Sequence, residues 1–568
     1  MNEVVYLIFR KMRRPALVLL FCYAVAVLGM HLIPTVDENG EITRLTIFQS
    51  FYWISYTATT IGYGEIPVNF SDWQRVWVAL SVYYTVPAWL YAAGKIIALL
   101  GDSVFQQALE ENRFTRNVAQ LKKRFVIICG FGEPGKRLAK LLVDAGYSCV
   151  VIDKDAERIN RIALEPELQS LLAISGEAEN IELLHRAGLR SPHCRAIVAI
   201  TDNDEANIKI ALSAKLLSSD RNRFQIICRT SNEKTHSRAK AIGADTVINS
   251  NRIFVERITR GLRRPHINEL LNKLLARPGS DYQETINPPL GTWIICGYGS
   301  LGVTLERFLE FEGIDTVIVS DRSAKEQNKP HISGTGTEEI TLREAKINQA
   351  VAIVAAHNSD ADNLTIAMTA KKMRPTIFTA GRQNQSANEK LFSLAGFDWV
   401  LEEADLIVSE IFPRIARGIL YSFIEKSLHQ SEDWAENLLK QIEELCGNKI
   451  PRHYVLKINE KRAPAVVEYL KSGHILRMHS LWSKNENAES LKNALPIMLI
   501  RNKSEVILPK ATTNLQVGDQ ILFLYHKEAT LLQIKRNAQD IAALYRSVHN
   551  REIVASPVLS YVLKKFQH

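Results

Sequence analysis

No two cysteines of this chain stand at C-x-x-C spacing, and the seven present are scattered along it. Cys129, Cys149, Cys228 and Cys296 lie in apolar runs that read as buried strands. The expectation is therefore reduced core thiols in a cytosol, with neither disulfides nor zinc ligands. The chain also lacks a long Lys/Arg run with interleaved aromatics. Its formal charge of +9 is spread over 568 residues, which argues against nucleic acid as a partner and leaves a membrane surface to account for part of the excess. There is no third or fourth long apolar span and no helix with arginine at every third position, so voltage sensing is not expected. No His or Lys is placed by a motif to serve as a hydride-transfer base. Apolar residues, in contrast, are plentiful: at 46% of the chain they suffice for the cores of three or four domains.

Two long apolar stretches fall within the first hundred residues. Arg10, Lys11, Arg13 and Arg14 precede a run from Ala16 to Ile33. The Ala24-Val25-Ala26 triplet mimics a signal-peptide cleavage site, but the run carries on through Leu28, Met30 and Ile33, reaching roughly the 20 residues that span a bilayer. It reads as an uncleaved outer helix. The four cations put its start in the cytoplasm, leaving Asp37, Glu38 and Glu41 outside. The second run, about Trp73 to Leu100, is longer than a bilayer needs and reads as an inner helix protruding into the cytoplasm. Pro87 in its middle predicts a kink or break near Val86-Pro87, either static or a moving hinge, and Gly94 is a second soft point.

Between these runs, Ile47 to Thr59 reads as a short helix dipping in from outside, rich in the aromatics Phe48, Phe51, Tyr52, Trp53 and Tyr56. Thr57-Ala58-Thr59-Thr60-Ile61-Gly62-Tyr63-Gly64-Glu65 follows its course. It resembles the potassium-channel selectivity filter, T-x-x-T-x-G-Y-G-D, with Glu65 in place of the usual Asp. Backbone carbonyls replace the water around K⁺ only if several face an axis in a row, and Gly62 and Gly64 allow angles that a Cβ forbids. Irregular backbone at membrane depth must be surrounded by protein or water. One chain does not supply that, so four copies around an axis are expected.

Residues 102–123 are polar and charged and read as a linker. Beyond them one unit is written twice. Arg124-Phe125-Val126-Ile127-Ile128-Cys129 is a buried-strand run, followed by Gly130-Phe131-Gly132-Glu133-Pro134-Gly135, an amphipathic helix, and the strand Cys149-Val150-Val151-Ile152 ending at Asp153. Glycines for a tight turn, a helix start for phosphate and an acid for ribose hydroxyls make up the dinucleotide fingerprint. The second copy has Thr292 to Cys296, then Gly297-Tyr298-Gly299-Ser300-Leu301-Gly302, then Thr316 to Val319 ending near Asp321. Asn207 is echoed by Asn363, and Gly243-Ala244-Asp245 by Gly396-Phe397-Asp398. The alternation of strand and helix predicts a doubly wound parallel sheet in each copy. Each copy closes with an apolar helix suited to packing on a partner, Ile253 to Leu262 and Leu406 to Leu420. Arg229 ends the strand Ile226-Ile227-Cys228 and has no cation at its counterpart around Ala380, which favours the first copy as the phosphate binder. From about Tyr454, short alternating strands predict a small separate lobe, followed by a helical stretch near Leu531 to Leu544.

With filter and repeat both read, the chain resembles the prokaryotic two-helix potassium channels that carry regulator-of-potassium-conductance (RCK) domains, two in tandem per subunit. The resemblance covers essentially the whole chain, and Val517-Gly518-Asp519 resembles the family's C-terminal lobe. It implies a membrane α-helical tetrameric pore of outer helix, pore helix, filter (Thr60, Ile61, Gly62, Tyr63, Gly64) and inner helix. To this are joined α/β Rossmann-like tandem RCK domains of TrkA-N and TrkA-C type, with a small α+β C-terminal lobe. The expected divisions are a pore domain at 1–101, a linker at 102–123, a first RCK domain at 124–285, a second at 286–450 and the lobe at 451–568. The resemblance also implies a homotetramer in the inner (plasma) membrane, multi-pass with both termini cytoplasmic, above an octameric ring of RCK domains that pulls on the inner helices. K⁺ is the permeant ion. NAD or ADP is the regulatory ligand, and no catalytic residue is expected. Gly130, Gly132, Gly135 and Asp153 match the family's adenine-nucleotide positions in the first domain, with Lys154 and Arg229 beside them; Gly297, Gly299, Gly302 and Asp321 match those in the second. Divalent cations regulate some members, so Ca²⁺ is a possible ligand. Asp360, Asp362, Glu402, Glu403 and Asp405 are candidate acids, against the plainer reading of solvated surface. Two other readings are a potassium transporter component, which would lack its own filter, and a membrane-anchored nucleotide-binding oxidoreductase, which would leave the filter without purpose.

Overall fold

A computed structural model of the chain describes residues 3–36, 42–64, 70–218, 224–276, 278–282, 287–321, 331–482 and 493–549. They form two compact units, Met1–Gln120 with Arg186–Gly188, and Leu121–His185 with Leu189–His568.

The first unit holds helices α1 (Glu3–Leu32), α2 (Ile47–Ala58), α3 (Asp72–Leu100) and α4 (Ser103–Ala119), with a two-strand ribbon of β1 (Thr35–Val36) and β2 (Ile42–Thr43). Two of its helices, Ile8–Leu32 and Asp72–Leu100, are long and apolar enough to cross a membrane. Their outward side chains, among them Phe21, Leu90 and Ile97, are exposed, as a lipid-facing surface requires. The two helices meet closely because Gly29 has no side chain: a Cβ there would stand 2.2 Å from the Trp77 ring. Trp77 Nε1 donates to the Ala26 carbonyl at 3.1 Å. Ser71 caps α3 in a capping box with Gln74, and Gln74 Nε2 donates onward to the Ile33 carbonyl at 3.1 Å. Of the kink or break expected near Val86-Pro87, the break does not occur: α3 runs uninterrupted through both residues. One missing hydrogen bond costs about 3 kcal/mol, and a helix of 29 residues packed on α1 absorbs it. Residues 103–119 of the expected linker are helical, with Phe105, Ala108, Phe114 and Val118 buried on one face. Asp102 caps that helix through the Phe105 N–H and pairs with Lys11.

The second unit contains two parallel six-stranded sheets. The first has the order β5-β4-β3-β6-β7-β8, from Leu172–Ser175, Ser148–Asp153, Phe125–Cys129, Cys194–Ala199, Gln225–Arg229 and Thr246–Ile248. The second repeats it as β11-β10-β9-β12-β13-β14, from His331–Ile332, Thr316–Val319, Trp293–Cys296, Ala352–Ala355, Phe378–Gln383 and Trp399–Glu402. The central strands are buried along their whole length, which is why they read as continuous apolar runs. Helices α5 (Glu133–Asp144), α6 (Ala156–Ile162), α7 (Ile181–Arg186), α8 (Asp204–Leu217) and α9 (Glu233–Ile242) belong to the first sheet. After them come α10 (Ser250–Arg263) and α11 (Pro265–Leu275); the second sheet carries α12 (Ser300–Phe311), α13 (Glu339–Glu344), α14 (Asp360–Met373) and α15 (Glu389–Leu394).

The closing helices are exchanged between the halves. Phe254, Val255, Ile258 and Leu262 of α10 are buried in the core of the second half. Ile407, Val408, Ile411 and Ile415 of α16 (Glu403–Ala416) are buried in the core of the first. The single helix expected over Leu406 to Leu420 is two: Arg417 leaves helical geometry at φ −117°, ψ 36°, and α17 (Gly418–Ser427) starts anew. The last sheet is antiparallel, in the order β15-β18-β16-β17, from Arg452–Lys457, Gln520–Tyr525, Ala494–Arg501 and Ser504–Ile507. The expected lobe has a core of its own but is not separate. Ile497, Met498, Leu522 and Leu524 of this sheet share one core with α11, α17 and α18 (Glu432–Cys446).

Candidate pore segment and nucleotide cleft

In the first unit, α2 delivers the chain into Thr60-Ile61-Gly62-Tyr63-Gly64. The N–H groups of Ile61 and Gly62 both reach back to the Tyr56 carbonyl, at 2.9 and 3.2 Å. Positive φ then recurs at every second residue: Thr60 at 64°, Gly62 at 67° and Gly64 at 89°. A Cβ on either glycine would meet nothing within 4 Å, so both are there for their dihedral angles and not for space. Thr60 adopts the same region without that freedom, a strained conformation of the sort that persists where its surroundings impose it. The Tyr56 hydroxyl donates to the Gly64 carbonyl at 2.8 Å, and its ring lies 5.6 Å from that of Tyr63. Glu65 lies outside the described residues. Pro87 and Gly94 both sit inside α3, and a Cβ on Gly94 would meet nothing within 4 Å.

In the second unit, the switch point between β3, β4 and β6 opens a cavity of about 490 Å³, lined by Gly130, Gly132, Asp153, Lys154, Arg158 and Arg229 among others. The three glycines of the turn have different reasons to be glycine. Gly130 has φ +105°, and a Cβ would lie 2.8 Å from the Thr201 nitrogen. A Cβ on Gly135 would lie 2.1 Å from the Gly130 carbonyl oxygen, so α5 sits directly on the turn. Gly132 is open, its nearest neighbours being Pro134 Cδ at 3.9 Å and Arg158 at 4.0 Å. It caps α5 with no side-chain hydrogen bond, leaving the helix start to an anion. Asp153 is buried at the strand end, where its carboxylate accepts from the Phe131 N–H and, at 2.8 Å, from the Asp155 N–H. Lys154 is exposed and 3.8 Å from Asp202. The cavity's size is that of a ligand site. Its open helix start, buried acid and flanking cations fit a nucleotide.

The second copy keeps the turn and changes the residues around it. Gly297 has φ +99°, and a Cβ on Gly302 would lie 2.2 Å from the Gly297 carbonyl oxygen. Register identifies the counterpart of the acid: Cys129 pairs with Ile152 in the first sheet and Cys296 with Val319 in the second. The residue in the place of Asp153 is thus Ser320, and the expected match of Asp321 is off by one. Asp321 is exposed. The cleft is also spanned: His357 stands where Thr201 stands in the first copy, and its Nε2 lies 3.0 Å from the Thr335 carbonyl oxygen. Gly299 remains open, with Ser320 in the acid's place at the strand end.

Register corrects the arginine expectation as well. Ala199 pairs with Cys228 and Ala355 with Gly381, so the counterpart of Arg229 is Arg382, not a residue near Ala380. Asn207 Nδ2 donates to the Arg229 carbonyl and Asn363 Nδ2 to that of Arg382. Four of the five acids considered for Ca²⁺ are engaged otherwise. Glu402 and Asp405 both bind Arg137 of α5. Asp360 accepts from the Asn384 and Gln385 N–H groups at 2.7 and 3.0 Å. Asp362 lies in the first turn of α14. Glu403 accepts from Arg229 at 2.6 Å and from Ser250 Oγ at 2.9 Å, with Arg382 at 3.9 Å. Burial pushes the Glu403 carboxyl up, but Arg229, Ser250 and Arg382 outweigh it and hold it below the usual range. No group of three or more metal-ligating His, Cys, Asp or Glu side chains occurs among the described residues. Sequence reasoning named Glu403 as a candidate acid and missed its pairing with Arg229 and Ser250, which only strand register brings together.

The family described as "Ion channel" matches residues 16–101, and the TrkA-N domain matches twice, at 126–250 and 293–403. A voltage-gated potassium channel, Kch, of Escherichia coli is 26% identical over 236 residues, 41% of this chain and 54% of the relative. An uncharacterised protein of Methanothermus fervidus is 28% identical over 230 residues, 40% of this chain and 34% of the relative. A Trk system potassium uptake protein homologue of Methanosarcina mazei is 24% identical over 376 residues, 52% of this chain and 90% of the relative. The chain thus spans between a third and about half the length of the first two. Among solved structures, the GsuK channel bound to NAD aligns over 95% of this chain and all of its own, with TM-score 0.45 and 14% identity. Two helices long and apolar enough to cross a membrane and two parallel six-stranded sheets stand where these family models match. The chain thus carries one segment that matches the ion-channel family and two, in tandem, that match the TrkA-N domain.

Proposed function

We propose that this chain is a K⁺-selective channel of the plasma membrane, gated by an adenine nucleotide held in its first TrkA-N domain and not turned over. The observation that carries the first part is the positive φ at 60, 62 and 64, which lets a short run of carbonyls face one axis and replace the hydration shell of K⁺. Four chains are needed to surround that axis, with both termini in the cytoplasm and eight TrkA-N domains in a ring. Reconstituted into liposomes, the protein should pass K⁺ and reject Na⁺. Equal passage of the two would overturn the reading of the filter.

The cleft at Gly132 and Asp153 supports the second part. The start of α5 and Arg229 would hold phosphate, and Asp153 would hold ribose hydroxyls. An acid at that place favours an unphosphorylated ribose, as in NAD or ADP, over a 2′-phosphate, although Lys154 and Arg158 stand nearby. A ligand shifts the gate only by its different affinity for the open and closed states, and moving from 1:99 to 99:1 needs about 5.5 kcal/mol. Shared among four chains this is about 1.4 kcal/mol each, a tenfold affinity difference per site. Flexing of the inner helix at Pro87 or Gly94 would answer it. Calorimetry with ADP and NAD, followed by single-channel recording with whichever binds, tests this part.

A further inference from the structure

The two halves repeat one strand order, and strand pairing identifies mates between them. Arg229 pairs with Ile248, and Arg382 with Leu401. Counting on two residues from each partner, Ser250 and Glu403 are mates, as Arg229 and Arg382 are. All four converge. Ser250 Oγ donates to Glu403 Oε1 at 2.9 Å, Arg229 donates to the same oxygen at 2.6 Å, and Arg382 lies 3.9 Å from the other oxygen. One carboxylate is therefore shared between two arginines, and only one of these lines the nucleotide cleft.

The asymmetry gives the carboxylate a use. Arg229 is the cation of the first cleft on the β7 side, yet a donor of its guanidinium is already committed to Glu403, which belongs to the second half. A phosphate entering the cleft meets an arginine whose charge is partly neutralised and whose planar fork is turned toward another anion. Arg382 in turn draws on the same carboxylate and loosens its hold on Arg229.

Resting on the nucleotide reading above, we propose that Glu403 is a positioning residue that competes with the ligand's phosphate for Arg229. Occupancy of the first cleft then hands Glu403 to Arg382, and the second half reads a site it does not itself contain.

The test is equilibrium binding of ADP to the full chain in detergent. Glu403→Gln keeps size and hydrogen bonding while removing the charge, and should tighten ADP about tenfold, the scale of one charge-assisted contact. Arg382→Gln leaves the carboxylate to Arg229 alone and should weaken ADP severalfold. A general structural role would weaken binding in both. In an Arg229→Gln background the effect of Glu403→Gln should fall below about twofold, since the pair is then already broken. An undiminished effect there would mean that Glu403 acts as a distant charge, and would overturn the proposal. Unchanged or weaker ADP binding in Glu403→Gln would do so equally. A wild-type chain that binds no ADP would bring down the nucleotide reading, and this inference with it.

Discussion

The two glycines that flank the start of α5 should fail in opposite ways when each is given one methyl group. Gly132 has φ −70° and ψ −167°, a conformation alanine adopts freely, and its nearest neighbours stand at 3.9 and 4.0 Å. Folding should not register Gly132→Ala beyond about 0.5 kcal/mol, the range of surface changes that touch nothing. The methyl would nevertheless project into the cleft at the helix start, where a phosphate must approach the backbone, so ADP affinity should fall by at least tenfold. Gly135→Ala is the reverse case. Its Cβ would lie 2.1 Å from the Gly130 carbonyl oxygen, more than an ångström inside ordinary contact, and the obstacle is backbone that cannot rotate away. Relief requires α5 to back off β3, at about 1–3 kcal/mol for overpacking. At about 2–4 °C per kcal/mol for a domain of 150–250 residues, this is a fall in Tm of several degrees. Thermal unfolding and calorimetric ADP titration on the same preparations read both effects. Undiminished ADP affinity in Gly132→Ala would refute the cleft as the nucleotide site. An unchanged Tm in Gly135→Ala would refute the packing argument independently.

Gly62→Ala places a side chain at φ +67° and should abolish K⁺ selectivity or conduction in a flux assay while leaving Tm nearly unchanged. Burial, with Arg417 adding to it, pushes the pKa of His453 down to about 4. The unfolded chain therefore binds the extra proton first, and stability is lost as pH falls from about 6.5 toward 4. The loss should reach about 2–3 kcal/mol, and His453→Gln, melted at pH 4.5 and 7, should show it much reduced. Lengthening the chain near Asn117 with flexible Gly/Ser residues breaks α4 before its end. It should blunt the nucleotide response of open probability without altering selectivity; a full response would show that α4 transmits no force.

The strands and both glycine turns were legible because fully buried parallel strands leave uninterrupted apolar runs, and because Gly130 and Gly297 stand where only positive φ closes the turn. The two long helices of the first unit were legible from the length of their apolar runs. What eluded the sequence was register. Spacing alone put Asp321 opposite Asp153 and Ala380 opposite Arg229, whereas the pairing of Cys296 with Val319 and of Ala355 with Gly381 moves each counterpart by one or two residues. The exchange of α10 and α16 was hidden for a different reason. An apolar stripe such as Ile407, Ile411 and Ile415 states that a helix must be covered and says nothing of which sheet covers it. Of the kink or break expected in α3, the break overweighted one proline against the rest of a long ladder of hydrogen bonds.

The exchanged helices also impose an order on synthesis. The core of the first sheet is not complete until Ile407 to Ile415 have been made, and the ribosome must build the whole second sheet before reaching them. At about 5–20 residues per second, helix α5, on which α16 packs, waits on the order of ten seconds for its cover after its own half has emerged. During that interval the same surface fits α16 of a neighbouring chain on the same message as well as its own. A cell making this protein must keep nascent copies apart for that long, or accept pairs of chains joined through the wrong helix.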